Sequence, residues 1–367
     1  MGATNSQSTR QQSLDGDRPV IAVTIGDPAG IGPEIAARTF ARFQPKRSAV
    51  LLVGSPGGIG PWLEKAGLKS GRDYRITGDT DEAVAASAGE AGQIVVLDTG
   101  MADPYTVGED GEGGGRHAGR AIELACELAR NWPVSAIVTC PISKKSLNLA
   151  NFPFSGHTEM LARYLNAPDC QMMMVRGGFR VVPLTRHLPL RDVSDHISQR
   201  SIVTCVRVVT EGLASDFGID SPRVAVAGLN PHAGDGGVIG SEEERVIAPA
   251  LERLRSQGVD VTGPVPADAL FPQAYSDFRA DPEGRGRYDA YIAMYHDQGL
   301  VPFKMMAQRR GVNVTLGLPV VRTSVDHGVA YDIAGRGIAE TESLLEAYQL
   351  AEEMYARRIE RARPESD

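Results

Sequence analysis

Apolar residues along this chain fall into short runs of strand length, separated by longer stretches in which they recur every three or four positions. Runs over residues 20–25, 49–53, 93–97 and 135–139 read as β-strands, and the segments between them carry a helical period. A helix from about Pro33 places Ile35, Ala36, Thr39 and Phe40 on one side, with proline at the first helical position, where its missing N–H costs nothing. Further helical patterns cover residues 117–130 and 342–358, the latter with Leu344, Leu345, Tyr348 and Ala351 on one packing face. Strand and helix alternating in this way predict parallel strands and an α/β fold. Residues 170–185 break the alternation, because two apolar runs flank Arg176-Gly177-Gly178 in the manner of a hairpin, so a mixed sheet is expected. The string VGEDGEGGGR over residues 107–116 carries five glycines and no hydrophobic period. It reads as a mobile surface loop or as a lid.

Composition narrows the classes. A length of 367 residues allows two domains or one large α/β unit, and 41 glycines with 23 prolines fit many short turns between periodic segments. Basic residues number 38 against 46 acidic, a net charge of -8, and no basic stripe is interleaved with aromatics, which argues against nucleic acid. No apolar stretch reaches the roughly 20 residues of a membrane span, so no membrane partner is expected. Cys126, Cys140, Cys170 and Cys205 lack a paired motif and lie in or beside apolar segments, as free thiols in a reducing cytoplasm do. Residues 1–17, rich in Gln, Ser and Asp, lack the apolar core of a secretory signal and read as a disordered extension.

The candidate chemistry begins with His187, His232 and His296, which follow the strand-like runs FRVVPLT, RVAVAGL and DAYIAMY. Ligands of open α/β sheets bind outside the carboxyl ends of the strands, so three imidazoles there make a candidate metal site; a solvated loop histidine is the plain alternative for each. Ser241-Glu242-Glu243-Glu244 reads as a capping box opening a helix toward residue 257, which sets the His232 loop at an anion-attracting helix N-terminus. GDPAGIGPE fits neither the dinucleotide fingerprint nor the P-loop and reads as a tight strand-to-helix turn. SGHTEMLARYL sets His157 and Thr158 at a helix start, either as a clamp for a ligand's phosphate or hydroxyl group or as simple caps. Lys304, Asn313 and Arg322, two of them in apolar strings, call for a charged substrate or a buried ion pair. Asp297, beside His296, either orients an imidazole and assists proton transfer or caps a turn.

The strings TIGDPAGIGPE, SGHTE, RHLPLRD, GLNPHAGDGG, MYHDQG, GVNVTLGLPVVRTSVDHG and DIAGRGIA resemble those of the 4-hydroxythreonine-4-phosphate dehydrogenase family of pyridoxal phosphate biosynthesis, in family order and from Ile21 to Ala339. The resemblance implies an isocitrate/isopropylmalate dehydrogenase-like α/β fold: two α/β subdomains, a mixed sheet and an active-site cleft between them. The first subdomain would take residues 18–150 and 300–367 with a cofactor loop, and the second residues 151–299 with the metal histidines and the dimer interface. It further implies a homodimer with the active site at the interface, and a divalent metal (Zn, Mg or Co) on His187, His232 and His296, with His296 from the partner subunit. By the same matching, His157, Thr158, Lys304, Asn313 and Arg322 would hold a small phosphorylated hydroxy amino acid. The segment SVDHGVAYDIAGRGIA is also similar to the adenosine loop of isopropylmalate dehydrogenases, which places His327, Gly328, Ala330 and Asp332 near NAD or NADP. His187, His232, His296 and Asp297 would then serve NAD-dependent oxidation of 4-phosphohydroxy-L-threonine at C3 and decarboxylation to 3-amino-2-oxopropyl phosphate. Relatives acting on 4-phospho-D-threonate, D-erythronate or aromatic cis-dihydrodiols are the nearest rivals; a zinc hydrolase and a non-catalytic binder are the more distant ones. The N-terminal extension, His196 and residues 107–116 match no family motif.

Overall fold

A computed structural model of the chain describes residues 18–89 and 93–363. The expected extension over residues 1–17 lies outside the described residues. The chain runs through β1 (Val20–Thr24), α1 (Gly32–Arg42), β2 (Ala49–Val53), α2 (Pro56–Lys65), β3 (Tyr74–Thr77), α3 (Thr80–Gly89), β4 (Ile94–Leu97), α4 (Glu112–Asn131), β5 (Val134–Thr139), α5 (Lys144–Leu149) and α6 (His157–Tyr164). It continues through β6 (Gln171–Arg176), β7 (Phe179–Pro183), α7 (Val193–His196), α8 (Gln199–Phe217), β8 (Val224–Ala227), α9 (Ala248–Arg255), β9 (Val261–Val265), α10 (Ala267–Ala280), β10 (Ala290–Ala293), α11 (His296–Ala307) and β11 (Val312–Leu316). Last come β12 (Val321–Val325) and α12 (Glu342–Ala362). Two compact units divide these elements, one taking residues up to Asn166 with Pro319–Tyr355, the other Ala167–Leu318 with residues from Ala356.

The first unit orders its strands β3-β4-β2-β1-β5-β12, all parallel. Every residue of β1, β2, β4 and β5 is buried, as expected of parallel strands covered on both faces, and this is why their sequences are apolar runs without alternation. One side of the core joins Leu51, Val53, Val95 and Leu97 to Ala121, Leu124 and Leu128 of α4. Strand order reverses at β1, with β2 on one side and β5 on the other, so the crevice that binds ligands in such sheets lies beyond the carboxyl ends of β1 and β5. There the Asp27 amide donates to the Pro141 carbonyl at 3.0 Å.

The second unit orders its strands β11-β6-β7-β10-β8-β9. Pairs β11/β6 and β6/β7 are antiparallel, and β7, β10, β8 and β9 run parallel, so the expected α/β class with a mixed sheet is found. The hairpin turns at Gly177, φ +53°, and a Cβ on Gly178 would stand 1.8 Å from the Gly284 carbonyl oxygen. Met174, Phe179, Val181, Tyr291 and Phe303 fill one side of its core.

The boundaries differ from those expected at 150 and 300. Helix α6 packs on α4, which keeps His157 and Thr158 in the first unit. Residues 300–318 stay in the second because α11 packs on β7 and β11 pairs with β6. Residues 107–111 form the surface loop expected of them, but residues 112–116 do not, since α4 begins at Glu112. Its glycines serve close approach: a Cβ on Gly113 would lie 2.0 Å from the Pro104 oxygen, on Gly115 1.9 Å from the Ser146 oxygen, and on Gly114 2.5 Å from the Asp27 carboxylate. All four cysteines are free and buried, and burial pushes the Cys126 and Cys205 thiols up to about 12, away from thiolate chemistry. Among the described residues no helix is long and apolar enough to cross a membrane.

Candidate active site

In the second unit β7, β10 and β8 are adjacent and parallel, so their carboxyl ends share one edge of the sheet. His187 follows β7, His296 opens α11 after β10, and His232 follows β8. The rings of His187 and His296 stand side by side, centroids 5.8 Å apart and tilted 40°. Asp297 meets His296 Nδ1 at 2.7 Å. A carboxylate on Nδ1–H fixes the tautomer and leaves the Nε2 lone pair for a ligand. His187 and His232 are exposed on the same edge. No group of three His, Cys, Asp or Glu side chains among the described residues is arranged in one chain to hold a metal ion. Thus one chain brings two of the three imidazoles together.

The turns carrying these rings are tied to one another. The Thr185 amide and hydroxyl both donate to the Met294 carbonyl, at 3.2 and 2.8 Å, joining the segment after β7 to that after β10. Gln298, whose Oε1 accepts from the Met294 amide at 2.6 Å, donates through Nε2 to the Gly228 carbonyl at 2.7 Å and so joins β10 to β8. The His232 loop is strained: His232, Ala233 and Asp235 have φ of 54°, 51° and 44°, left-handed values that cost a non-glycine residue of order 1–3 kcal/mol each. The expected capping box is absent. Glu244 makes no reciprocal bond to Ser241; instead Glu242 accepts from the Ser241 amide at 3.0 Å, and Glu243 turns back to the His232 loop. Residues 243–247 wind as one π-turn before α9.

Lys304 lies on the exposed side of α11, and Asn313 lies on β11 with its Oδ1 buried and without a hydrogen-bond partner among the described residues. The other expected substrate residues belong to the first unit. His157 is the first residue of α6 behind Gly156, whose φ of 159° suits glycine, and Thr158 follows it, buried. Burial, then the positive Arg322, hold the His157 imidazole well below its usual range. One ring nitrogen bonds the Cys140 backbone, and Nε2 is buried without a partner. Arg322 is 1% exposed on β12 and donates to Thr139 Oγ1 at 2.6 Å.

The proposed cofactor loop after β12 is laced to the β1–α1 turn. Tyr331 donates to Asp27 Oδ2 at 2.8 Å and meets Ser146 Oγ at 3.2 Å; the Ile31 amide reaches the Val329 carbonyl at 3.0 Å. Glu34, fully buried on α1, accepts from the Ala339 and Gly337 amides at 2.7 and 3.2 Å and pairs with Arg38 at 2.9 Å. Burial raises the Asp27 carboxyl, while bonds from the Ala29 amide and from Tyr331 oppose the rise. Within the loop His327 Nδ1 meets the Gly328 carbonyl oxygen at 3.0 Å, Ala330 is left-handed at φ 45°, and Gly328 and Asp332 are exposed. Asp27, Glu34, Tyr331 and Gln298 are not singled out by the sequence, and Glu243 only as part of the expected capping box. A carboxylate inside an apolar helical face, as Glu34 is, was the available signal.

The family model of the pyridoxal phosphate biosynthetic protein PdxA matches residues 57–351. The chain belongs to the PdxA family. A relative from Desulforapulum autotrophicum, called 4-hydroxythreonine-4-phosphate dehydrogenase, is 43% identical over 337 residues, 91% of this chain and 95% of the relative. The crystal structure of 4-hydroxythreonine-4-phosphate dehydrogenase from Klebsiella pneumoniae superposes with a TM-score of 0.78 at 38% identity, covering 93% of this chain and 98% of that one. A terephthalate 1,2-cis-dihydrodioldehydrogenase from Burkholderia xenovorans LB400 reaches a TM-score of 0.59 at 29% identity, covering 91% and 98%. PdxA membership agrees with the expectation drawn from the seven strings, including those that bear His157, His187, His232 and His296.

Proposed function

We propose that this chain is a 4-hydroxythreonine-4-phosphate dehydrogenase of pyridoxal phosphate biosynthesis. It would oxidise 4-phosphohydroxy-L-threonine at C3 with NAD or NADP and decarboxylate the resulting β-keto acid to 3-amino-2-oxopropyl phosphate. The observation that carries this reading is the placing of His187, His232 and His296 on one sheet edge, with two rings already side by side. An all-imidazole donor set suits Zn or Co better than Mg, which prefers oxygen ligands. A divalent cation held there would supply Lewis acidity at a ligand hydroxyl, and a nicotinamide would supply the hydride acceptor. His187, His232 and His296 hold the cation, and Asp297 keeps Nε2 of His296 turned outward. The neutral His157, with its orphaned Nε2, accepts from a hydroxyl or amine of the substrate, while Arg322, Lys304, Thr158 and Asn313 take its phosphate and remaining polar groups. The loop bearing His327, Gly328, Ala330 and Asp332 receives the nucleotide.

The third imidazole comes from a second copy in this reading. Helix α11, which opens with His296, leaves Val301 and Met305 56% and 73% exposed; Leu190 and Val238, 71% and 80% exposed, follow His187 and His232 in the sequence. Exposed apolar side chains on the elements that carry an incomplete ligand set fit burial against a copy of the same chain. We place the enzyme in the cytoplasm, where four buried free thiols stay reduced.

The test is an assay of metal-stripped protein with 4-phosphohydroxy-L-threonine. NADH and the aminooxopropyl phosphate should form only after Zn or Co is restored. Phosphoester hydrolysis without NAD reduction would instead mark a metal hydrolase. Turnover of an unphosphorylated cis-dihydrodiol in preference to the phosphorylated substrate would favour the chemistry of the Burkholderia relative.

A further inference from the structure

Among the features left unassigned, the acidic pair opening the π-turn bears most directly on the site. Glu243 is 3% exposed, and its carboxylate faces the loop after β8. Its Oε1 accepts from the Asn230 amide at 2.7 Å and its Oε2 from Asn230 Nδ2 at 2.9 Å. A Cβ on Gly234 would lie 2.8 Å from Glu243 Oε2, and one on Gly228 would lie 2.9 Å from the Ala233 side chain, so the loop is folded tightly over this carboxylate. Glu242 takes the same Asn230 Nδ2 at 2.8 Å and, with its other oxygen, the Ser194 hydroxyl at 2.9 Å, on the segment that follows His187. Its carboxyl is held below the usual range by bonds from its own amide, Asn230 and Ser194. The two carboxylates therefore grip the base of the His232 loop and join it to the stretch after His187.

Between Asn230 and Gly236 the backbone turns left-handed at His232, Ala233, Gly234 and Asp235. A conformation so unfavourable for three non-glycine residues persists only where surrounding bonds impose it. We infer that Glu243, assisted by Glu242, is a positioning residue for the proposed metal site, forcing the left-handed turn that presents His232 on the edge shared with His187 and His296. This rests on the metal reading given above. Neither glutamate is assigned contact with metal or substrate; both act through Asn230 and the loop backbone. In Glu243→Gln an amide NH2 replaces one acceptor and faces an Asn230 donor, the backbone N–H or Nδ2, so one of the two bonds is lost with little change in volume.

The experiment titrates Co2+ into the metal-stripped full-length protein, read by calorimetry and by the visible absorption of imidazole-bound cobalt, with circular-dichroism melts alongside. Wild type should bind. Glu243→Gln should remain folded and bind Co2+ about tenfold more weakly or worse, the scale of lost outer-sphere support. Adding Ala233→Gly, which removes the steric objection to the left-handed turn, should recover part of the affinity. A merely structural role would lower the melting temperature and leave the folded protein's affinity alone. Wild-type affinity in folded Glu243→Gln, or no recovery on adding Ala233→Gly, overturns the proposal. Should Glu243→Gln fail to fold, Glu242→Gln is read in the same way, a several-fold loss supporting the inference and an unchanged affinity refuting it. Failure of the wild-type protein to bind Co2+ removes the metal reading itself, and this inference with it.

Discussion

At the level of single residues, the buried polar groups are where sequence said least and structure says most. His157 was visible as a helix-start residue, but its neutrality arises from burial and from Arg322, which reaches it from β12 far along the chain. Because the folded pKa lies below the unfolded value of about 6.5, the unfolded state binds the extra proton first as pH falls. Stability should therefore be fully present above about pH 6.5 and decline below it, with a slope of at most about 1.4 kcal/mol per pH unit from this group. Urea melts of wild type and His157→Gln between neutral and mildly acidic pH check this, and an identical pH dependence for both proteins would refute it. Tyr331 makes a similar case. Its phenol joins the proposed nucleotide loop to buried Asp27, so Tyr331→Phe should cost about 1–3 kcal/mol of stability, the penalty for leaving a buried acceptor short of a donor. It should also weaken NAD binding several-fold while kcat changes little. Fluorescence titration with NADH measures the second effect, and unchanged affinity would detach Tyr331 from the cofactor.

Elements were legible where one period ran unbroken. The strands over residues 49–53 and 135–139, the hairpin at Gly177, and the helices beginning near Pro33 and Glu342 appear essentially where the apolar spacing put them. Two segments misled for physical reasons. Gly113, Gly114 and Gly115 read as flexibility in the sequence but are contact points, since the start of α4 presses on Pro104, on Asp27 and on α5, where no Cβ fits. Gly115→Ala should thus destabilise the protein by roughly 1–3 kcal/mol, the usual cost of overpacking, and an unchanged melting temperature would restore the mobile-loop reading. Likewise Ser241 and Glu244 have the spacing of a capping box, yet Glu242 and Glu243 are drawn to Asn230 in a different element. A local pattern gave way to a tertiary bond.

For the whole molecule, the class and the family could be read from the chain, whereas the boundaries between the units could not. Assigning residues 151–166 and 300–318 to a unit depends on α6 packing against α4 and on the β11–β6 ladder, pairings that no local spacing encodes. The proposed contribution of a second copy is equally non-local. Met305→Asp, which sets a charge on the outward face of α11, should shift the protein toward monomer in sedimentation equilibrium and abolish activity, and a fully active variant of unchanged mass would exclude this face from the interface. Mixing inactive histidine variants identifies the ring that crosses. Since one chain already pairs His187 with His296, heterodimers of His187→Ala with His232→Ala should regain activity if His232 is the crossing ligand. Recovery from His187→Ala with His296→Ala would instead favour His296. The account stands most directly on anomalous diffraction from the cobalt- or zinc-loaded protein. It predicts one ion per subunit, bound by imidazoles of His187, His232 and His296 drawn from two copies. An ion bound elsewhere, or these rings too far from any common centre in the assembled protein, would contradict it.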